Sequence, residues 1–379
     1  MRPVKALRGI CIAAGLAISL LLLVMASTAL AAGTKVCVPP TENTAIVTAK
    51  AGGTCAMGYT KTIMLPEAEQ EKLEQILPYV KFVKEGVDKK PTVQFSGVNV
   101  QIINGEGATA TVNGEGNLVI GYDENAGKHE QTGSHNLILG EEQEFTNYAG
   151  IIGGFKNIIS GSFATVTGGS GNTASGIYSS VSGGSGNVAS GNESSVSGGV
   201  NNTATAIDSS VSGGADNTTA TSGHYSSISG GAFNTTTGYY ASVSGGESNA
   251  AEAKYAWAAG GYKNSAAGDW AATSGGKENV ASGEFSSVSD GQANLATGKN
   301  SSVAGGALNT ASGFASSVSG GIENSATNFE SSVSGGQANK AKGLQAWVGG
   351  GYKNTAEGEW SAIFGGNELI AAGKFEAIP

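Results

Sequence analysis

From about residue 150 onward the apolar positions occur singly and at a fixed interval. One β-branched residue sits among small polar ones, a glycine pair follows, and the unit returns every fifteen residues. The apolar file reads Val166, Val181, Val196, Val211, Ile228, Val243, Val288, Val303, Val318, Val333, Val348 and Ile363, with Ala258 and Thr273 in the same place. A segment such as Ser317-Val318-Ser319 alternates with period two, the pattern of a short half-buried strand. The glycine pairs start at Gly153 and run to Gly365, with Asp290 replacing one first member. The step is 15 residues except from Gly213 to Gly230, where it is 17 and two residues are inserted near Thr221.

A second motif follows each pair. Three residues after the second glycine comes Asn, from Asn157 and Asn172 to Asn354, until Leu369 breaks the series. Two residues after Asn comes a small residue, as at Ala174, Ala281 and Ala356, and then Gly176, Gly283 and Gly358. This predicts a second short strand with alanine inward and a glycine turn at its end. Two strands and two turns make one coil, and fixed self-similarity of this kind predicts an all-β parallel solenoid. Coils pair about 4.8 Å apart, so the repeats span on the order of 70 Å, with the asparagines stacked as a ladder. The core is thin, one Val and one Ala per coil, which points to rolls packing against one another.

Ahead of the repeats the pattern changes. Residues 66–85 read as a helix: Pro66 suits its first turn, and Glu67, Glu69 and Glu71 suit the positive end of the dipole. Leu73, Ile76, Val80 and Val83 have heptad spacing, although Pro78 should kink or split the run. Two readings stay open, a short trimerising helix and a cap on its own chain. From Val93 to Ile102 the alternation of Val98, Val100 and Ile102 reads as a strand. The expected organisation is a signal peptide at 1–32, a cap at 33–91, an irregular β lead-in at 92–140 and the regular roll at 141–379.

Composition adds the compartment. Arg2, Lys5 and Arg8 precede an apolar run from Ile10 to Met25, and Ala29-Leu30-Ala31 gives small residues at a cleavage spacing. The run is short for a bilayer span, so a secreted or cell-surface location is expected, with membrane contact only through this segment if it stays uncleaved. Removing it leaves 18 lysines and no arginine against 30 acidic residues, a formal charge of −12. Such a chain is a poor partner for nucleic acid, which needs clustered cations against phosphate. Cys37 and Cys55 are the cysteines left, and in an oxidising compartment they are expected to close a loop as a disulfide worth roughly 3 kcal/mol.

The pattern Asn-x-Ala-x-Gly-x-x-Ser-Ser-Val-Ser-Gly-Gly resembles the head repeats of the YadA-like trimeric autotransporter adhesins. Asn117-Leu118-Val119-Ile120-Gly121 and Asn136-Leu137-Ile138-Leu139-Gly140 echo the strands of those heads, and the resemblance covers roughly residues 117–375. It implies a left-handed parallel β-roll assembled as a homotrimer. Neither a coiled-coil stalk nor an anchor barrel is seen after Phe375, so self-export through an outer membrane is not expected.

Catalytic chemistry is not legible. His129, His135 and His224 have no partner at metal-ligand or triad spacing, and the first two read as solvated around a polar turn. No enzyme activity, cofactor or metal is expected. One column of the repeat is aromatic: Phe163, Tyr178, Tyr225, Tyr240, Tyr255, Trp270, Phe285, Trp360 and Phe375. It reads either as a stack or subunit contact, or as a stripe that meets a glycan or a surface protein. Two segments six coils apart, "AWAAGGYKNSAAGDW" and "AWVGGGYKNTAEGEW", make similar patches from Trp257 and Tyr262 and from Trp347 and Tyr352. The expected function is an adhesin-like binding and display protein. A polysaccharide-acting solenoid enzyme would need clustered charges on one face. An ice-binding solenoid would need a flat threonine array, and threonine is scattered along this sequence.

Overall fold

The structure, a computed structural model, describes residues 34–38, 47–48, 54–55, 57, 60–64, 67–125 and 127–379. The expected signal segment and the Cys37 side chain, and with it the Cys37–Cys55 bridge, lie outside the described residues. The chain divides into two units, Met1–Gln101 and Ile102–Pro379.

In the first unit β1 (Thr34–Val38) pairs antiparallel with β2 (Val47–Thr48) and β3 (Thr60–Met64). Helix α1 covers Glu67–Ile76, and a 3-10 turn at Leu77–Tyr79 ends it. The helix predicted over 66–85 is therefore cut short. Pro78 has no N–H to donate and disfavours helical backbone at the residue before it. Val80 and Val83 instead lie in β4 (Val80–Val83), which pairs antiparallel with β5 (Thr92–Phe95), so the four-residue heptad seam does not form. The strand expected through Ile102 stops at Phe95. Gly97 turns the chain at φ +69°, and Val98, Val100 and Ile102 follow without regular structure, their side chains exposed.

The second unit is a parallel solenoid of about 17 turns. It opens with β6 (Leu118–Ile120), β7 (Leu137–Glu141), β8 (Glu144–Phe145), β9 (Ile151–Phe155) and β10 (Ile158–Ile159). Leu118 pairs with Leu137, Leu137 with Ile151 and Ile151 with Thr165, steps of 19, 14 and 14 residues before the step settles at 15. Each regular coil then has a two-residue first strand such as Ser317–Val318 and a two-residue second strand such as Ser325–Ala326. A third line of pairing runs along the turn between them, through Ala307, Ile322 and Gln337. The 17-residue step pairs Ser210 with Ser227. Its extra residues lie in the turn after Ala220, closed by the Gly223 N–H donating to the Ala220 carbonyl at 2.8 Å.

The core lies between the two files of strands. Val318 of the first and Ala326 of the second point inward and are buried, as are their counterparts in all but the end coils. Asn324 and Ser316 are buried beside them. The second glycine of each pair is the one that geometry demands. Gly246 has φ +81°, and a Cβ there would strike the Gly261 carbonyl oxygen and the Asn249 amide. At the first member, Gly245, a Cβ meets nothing within 4 Å. That is why Asp290 can stand at the first position and no residue replaces the second.

Candidate functional site

Every face of the roll is a ladder of one repeat position, so a candidate site is a column or a group of columns. The asparagine column is internal. The N–H of Asn172 donates to Oδ1 of Asn157 at 2.8 Å, and the same bond recurs coil after coil to Asn354, which receives Leu369 N–H at 3.0 Å. Each side-chain amide also bridges two glycine-turn carbonyls: Asn324 Nδ2 donates to Gly320 at 2.8 Å and to Gly336 at 2.9 Å. The polar groups of this column are satisfied inside the protein and leave nothing for a ligand. At its start Gln143, fully buried, accepts from Asn157 N–H at 3.2 Å and caps the ladder. Sequence reasoning missed Gln143. Its signal was its place, one 14-residue lead-in step before Asn157.

The aromatic column sits at the turn after the second strand, and its backbone is unusual. Phe163, Tyr178, Tyr225, Tyr240, Tyr255, Trp270, Phe285, Trp360 and Phe375 all have φ between 58° and 62°. The non-aromatic members are left-handed too, from Glu193 at 58° to Glu330 at 51°. Left-handed backbone costs an L-residue roughly 1–2 kcal/mol, so the coil geometry imposes it and not the side chain. Tyr225, Tyr240, Tyr255, Trp270 and Phe285 form one continuous stack, with centroids 4.9, 5.2, 3.9 and 6.0 Å apart and planes within 21°. Phe163 stacks on Tyr178 at 5.0 Å, while Trp360 meets Phe375 edge-on at 83°. Stacked rings cover each other's faces and show solvent their edges. Where the column turns to Ala315 and Glu330, the preceding position takes over, and Phe314 stacks on Phe329 at 5.1 Å. Tyr239 occupies that same preceding position against Tyr225 and Tyr240, where burial and the two phenols push its own phenol up.

The two aromatic patches have matching contacts. Trp257 Nε1 donates to Ser244 Oγ at 3.2 Å, and Trp347 Nε1 to Ser334 Oγ at 3.0 Å, so each indole lies back over the preceding coil. A Cβ at Gly349 would come within 3.0 Å of the Trp347 ring, which lies across that position. Lys263 lies over Tyr262 at 5.1 Å and Lys353 over Tyr352 at 4.9 Å. The tyrosine hydroxyl beside it holds each lysine above the usual range. Trp257 and Trp347 are the two indoles on the outward face of the first strands, whose other members in the regular coils are mostly Ser, with some Thr, Ala and Gly and the exposed ring of Phe364, which Trp347 meets edge-on at 5.2 Å.

The histidines are not the solvated pair that the sequence suggested. His135 accepts from Asn104 N–H at 3.1 Å and sits 3.1 Å from the Thr109 carbonyl, which ties the lead-in segment together. His129 lies 3.6 Å from Glu142 and 3.5 Å from Glu144, with Lys156 at 3.3 Å from Glu142. Among the described residues no three His, Cys, Asp or Glu side chains come together as a metal site. No protein-family model matches the chain, and no curated protein is similar to it in sequence.

Proposed function

We propose that this protein is an exported, non-enzymatic display scaffold, a left-handed roll like a YadA-like head, whose copies associate as a homotrimer through the outward face of the first strands. The observation that carries the reading is the absence of charge on that face. It opens with Leu118, Ile120 and Ile151, which are 45%, 58% and 40% exposed, and continues through the serine files without one charged side chain. Charged residues crowd the turns instead. Charges are costly to desolvate, so the face without them is the cheapest to bury. It covers on the order of 700 Å² per copy, close to a standard protein interface. In this reading Cys37 and Cys55 close the N-terminal loop.

Light scattering on the purified chain tests the proposal. Three copies are expected, and Ser287→Lys with Ser302→Lys should disperse them while the β-sheet circular dichroism stays. A wild-type monomer overturns it. The binding role, to a glycan or a surface protein, rests on multivalent presentation of identical coils. A glycan array with the Trp270→Ala, Trp360→Ala variant tests it. Binding lost with the trimer intact supports the role, and a trimer that falls apart makes the column structural.

A further inference from the structure

The second strands turn their alternate residues outward on the side of the roll opposite the first-strand face. The sequence scatters its threonines, but the fifteen-residue winding gathers them there. Thr173, Thr203, Thr205, Thr218, Thr235 and Thr237 occupy two adjacent files, and the other positions between them are Ser, Val or Ala. Glu144 stands near the start of these files, and the next charge in them is Glu252. The register is fixed, since Thr203 pairs with Thr218 and Thr218 with Thr235.

This surface has two repeat distances, about 4.8 Å between coils and roughly 6.7 Å between alternate residues of one strand. Some hydroxyls are also fixed. Thr205 Oγ1 donates to the Thr219 carbonyl at 2.5 Å, and Thr237 Oγ1 to the Glu252 carbonyl at 3.0 Å. Their methyl groups are thereby held in one orientation, and little rotamer freedom remains to be lost on binding. The strip holds no aromatic anchor, no charge and no pocket, the features that dominate recognition of macromolecules and small molecules. What it offers is a regular lattice of methyl and hydroxyl groups in fixed register. The partner that such a lattice complements is itself periodic, uncharged and hydrogen-bonding at a similar spacing.

We propose that the second-strand face between Thr173 and Thr237 binds ice. It does not depend on the assembly reading, because it uses the opposite side of the roll. The test is thermal hysteresis and inhibition of ice recrystallisation by the purified full chain, with Thr218→Lys at the middle of the strip. The wild type is expected to shape ice crystals, and the variant to lose most of the hysteresis with unchanged circular dichroism and melting temperature. Wild-type protein that leaves ice growth unaltered overturns the proposal, as does a folded Thr218→Lys protein with full hysteresis. Should Thr218→Lys misfold, Thr203→Ser with Thr235→Ser, which keeps the hydroxyls and removes the methyls, should still lower the hysteresis. Full activity in that folded variant also overturns the proposal.

Discussion

The backbone N–H of Asn279 donates to Oδ1 of Asn264 at 3.0 Å, from the next coil and fifteen residues on. The Asn279 side chain in turn accepts from Asn294 N–H at 3.0 Å and donates to the Gly275 and Gly291 carbonyls at 2.9 and 3.0 Å. One side chain thus serves three backbone groups in two neighbouring coils. Asn279→Ala leaves those groups buried and unpaired, which should cost about 2–4 kcal/mol. Chemical denaturation should show the loss.

Asn279→Asp should add a pH dependence. The carboxylate would lie buried next to two carbonyl oxygens, which raises its folded pKa above the unfolded value near 4. The folded variant then binds the proton more tightly than the unfolded one, so stability is retained below about pH 4 and lost as pH rises. Melting temperature against pH should fall for the variant relative to the wild type between about pH 4 and pH 8.

The two members of a glycine pair should respond differently. Gly246→Ala puts a Cβ into the Gly261 carbonyl at a left-handed φ, and a loss of about 3 kcal/mol or more is expected. Gly245→Ala meets open space and should change stability by less than about 1 kcal/mol. Equal losses in paired thermal melts would refute the assignment of the turn.

The aromatic column sets stacking against backbone strain. Tyr255 lies between Tyr240 and Trp270, so Tyr255→Ala should destabilise by about 1–2 kcal/mol and change Trp270 fluorescence. Ala315 has the same backbone at φ 52° with little side chain to stack, and Ala315→Gly should be neutral or stabilising by up to about 1 kcal/mol.

Ion pairs between neighbouring coils should matter little. Lys342 meets Glu357 at 3.1 Å and Lys374 meets Glu359 at 3.0 Å, all about half exposed. Lys342→Ala is expected to shift stability by less than about 0.5 kcal/mol, and high salt should leave the melting temperature nearly unchanged.

The local repeat was legible because each inward position is filled by one residue type in nearly every coil. Val318, Ala326 and Asn324 each repeat at a fixed interval, and burial at a fixed place in the winding tolerates little else. The helix end was half legible: Pro78 was visible as a breaker, but that Val80 would pair with Phe95 depends on a partner fifteen residues away. Gln143 escaped notice because the lead-in steps differ in length, and a fixed period cannot align it with Asn157.

By itself the sequence determined the solenoid, its coil length, its Val, Ala and Asn files and the place of its insertion, because burial and turn geometry restrict residue type at those positions. Only the tertiary structure decided what faces outward together. Winding the chain placed Thr203 beside Thr218, laid Trp347 over the coil of Ser334, stacked Tyr255 on Trp270 and left the first-strand face without charge. Outward positions tolerate many residues, so their grouping becomes visible only when coils fifteen residues apart lie side by side.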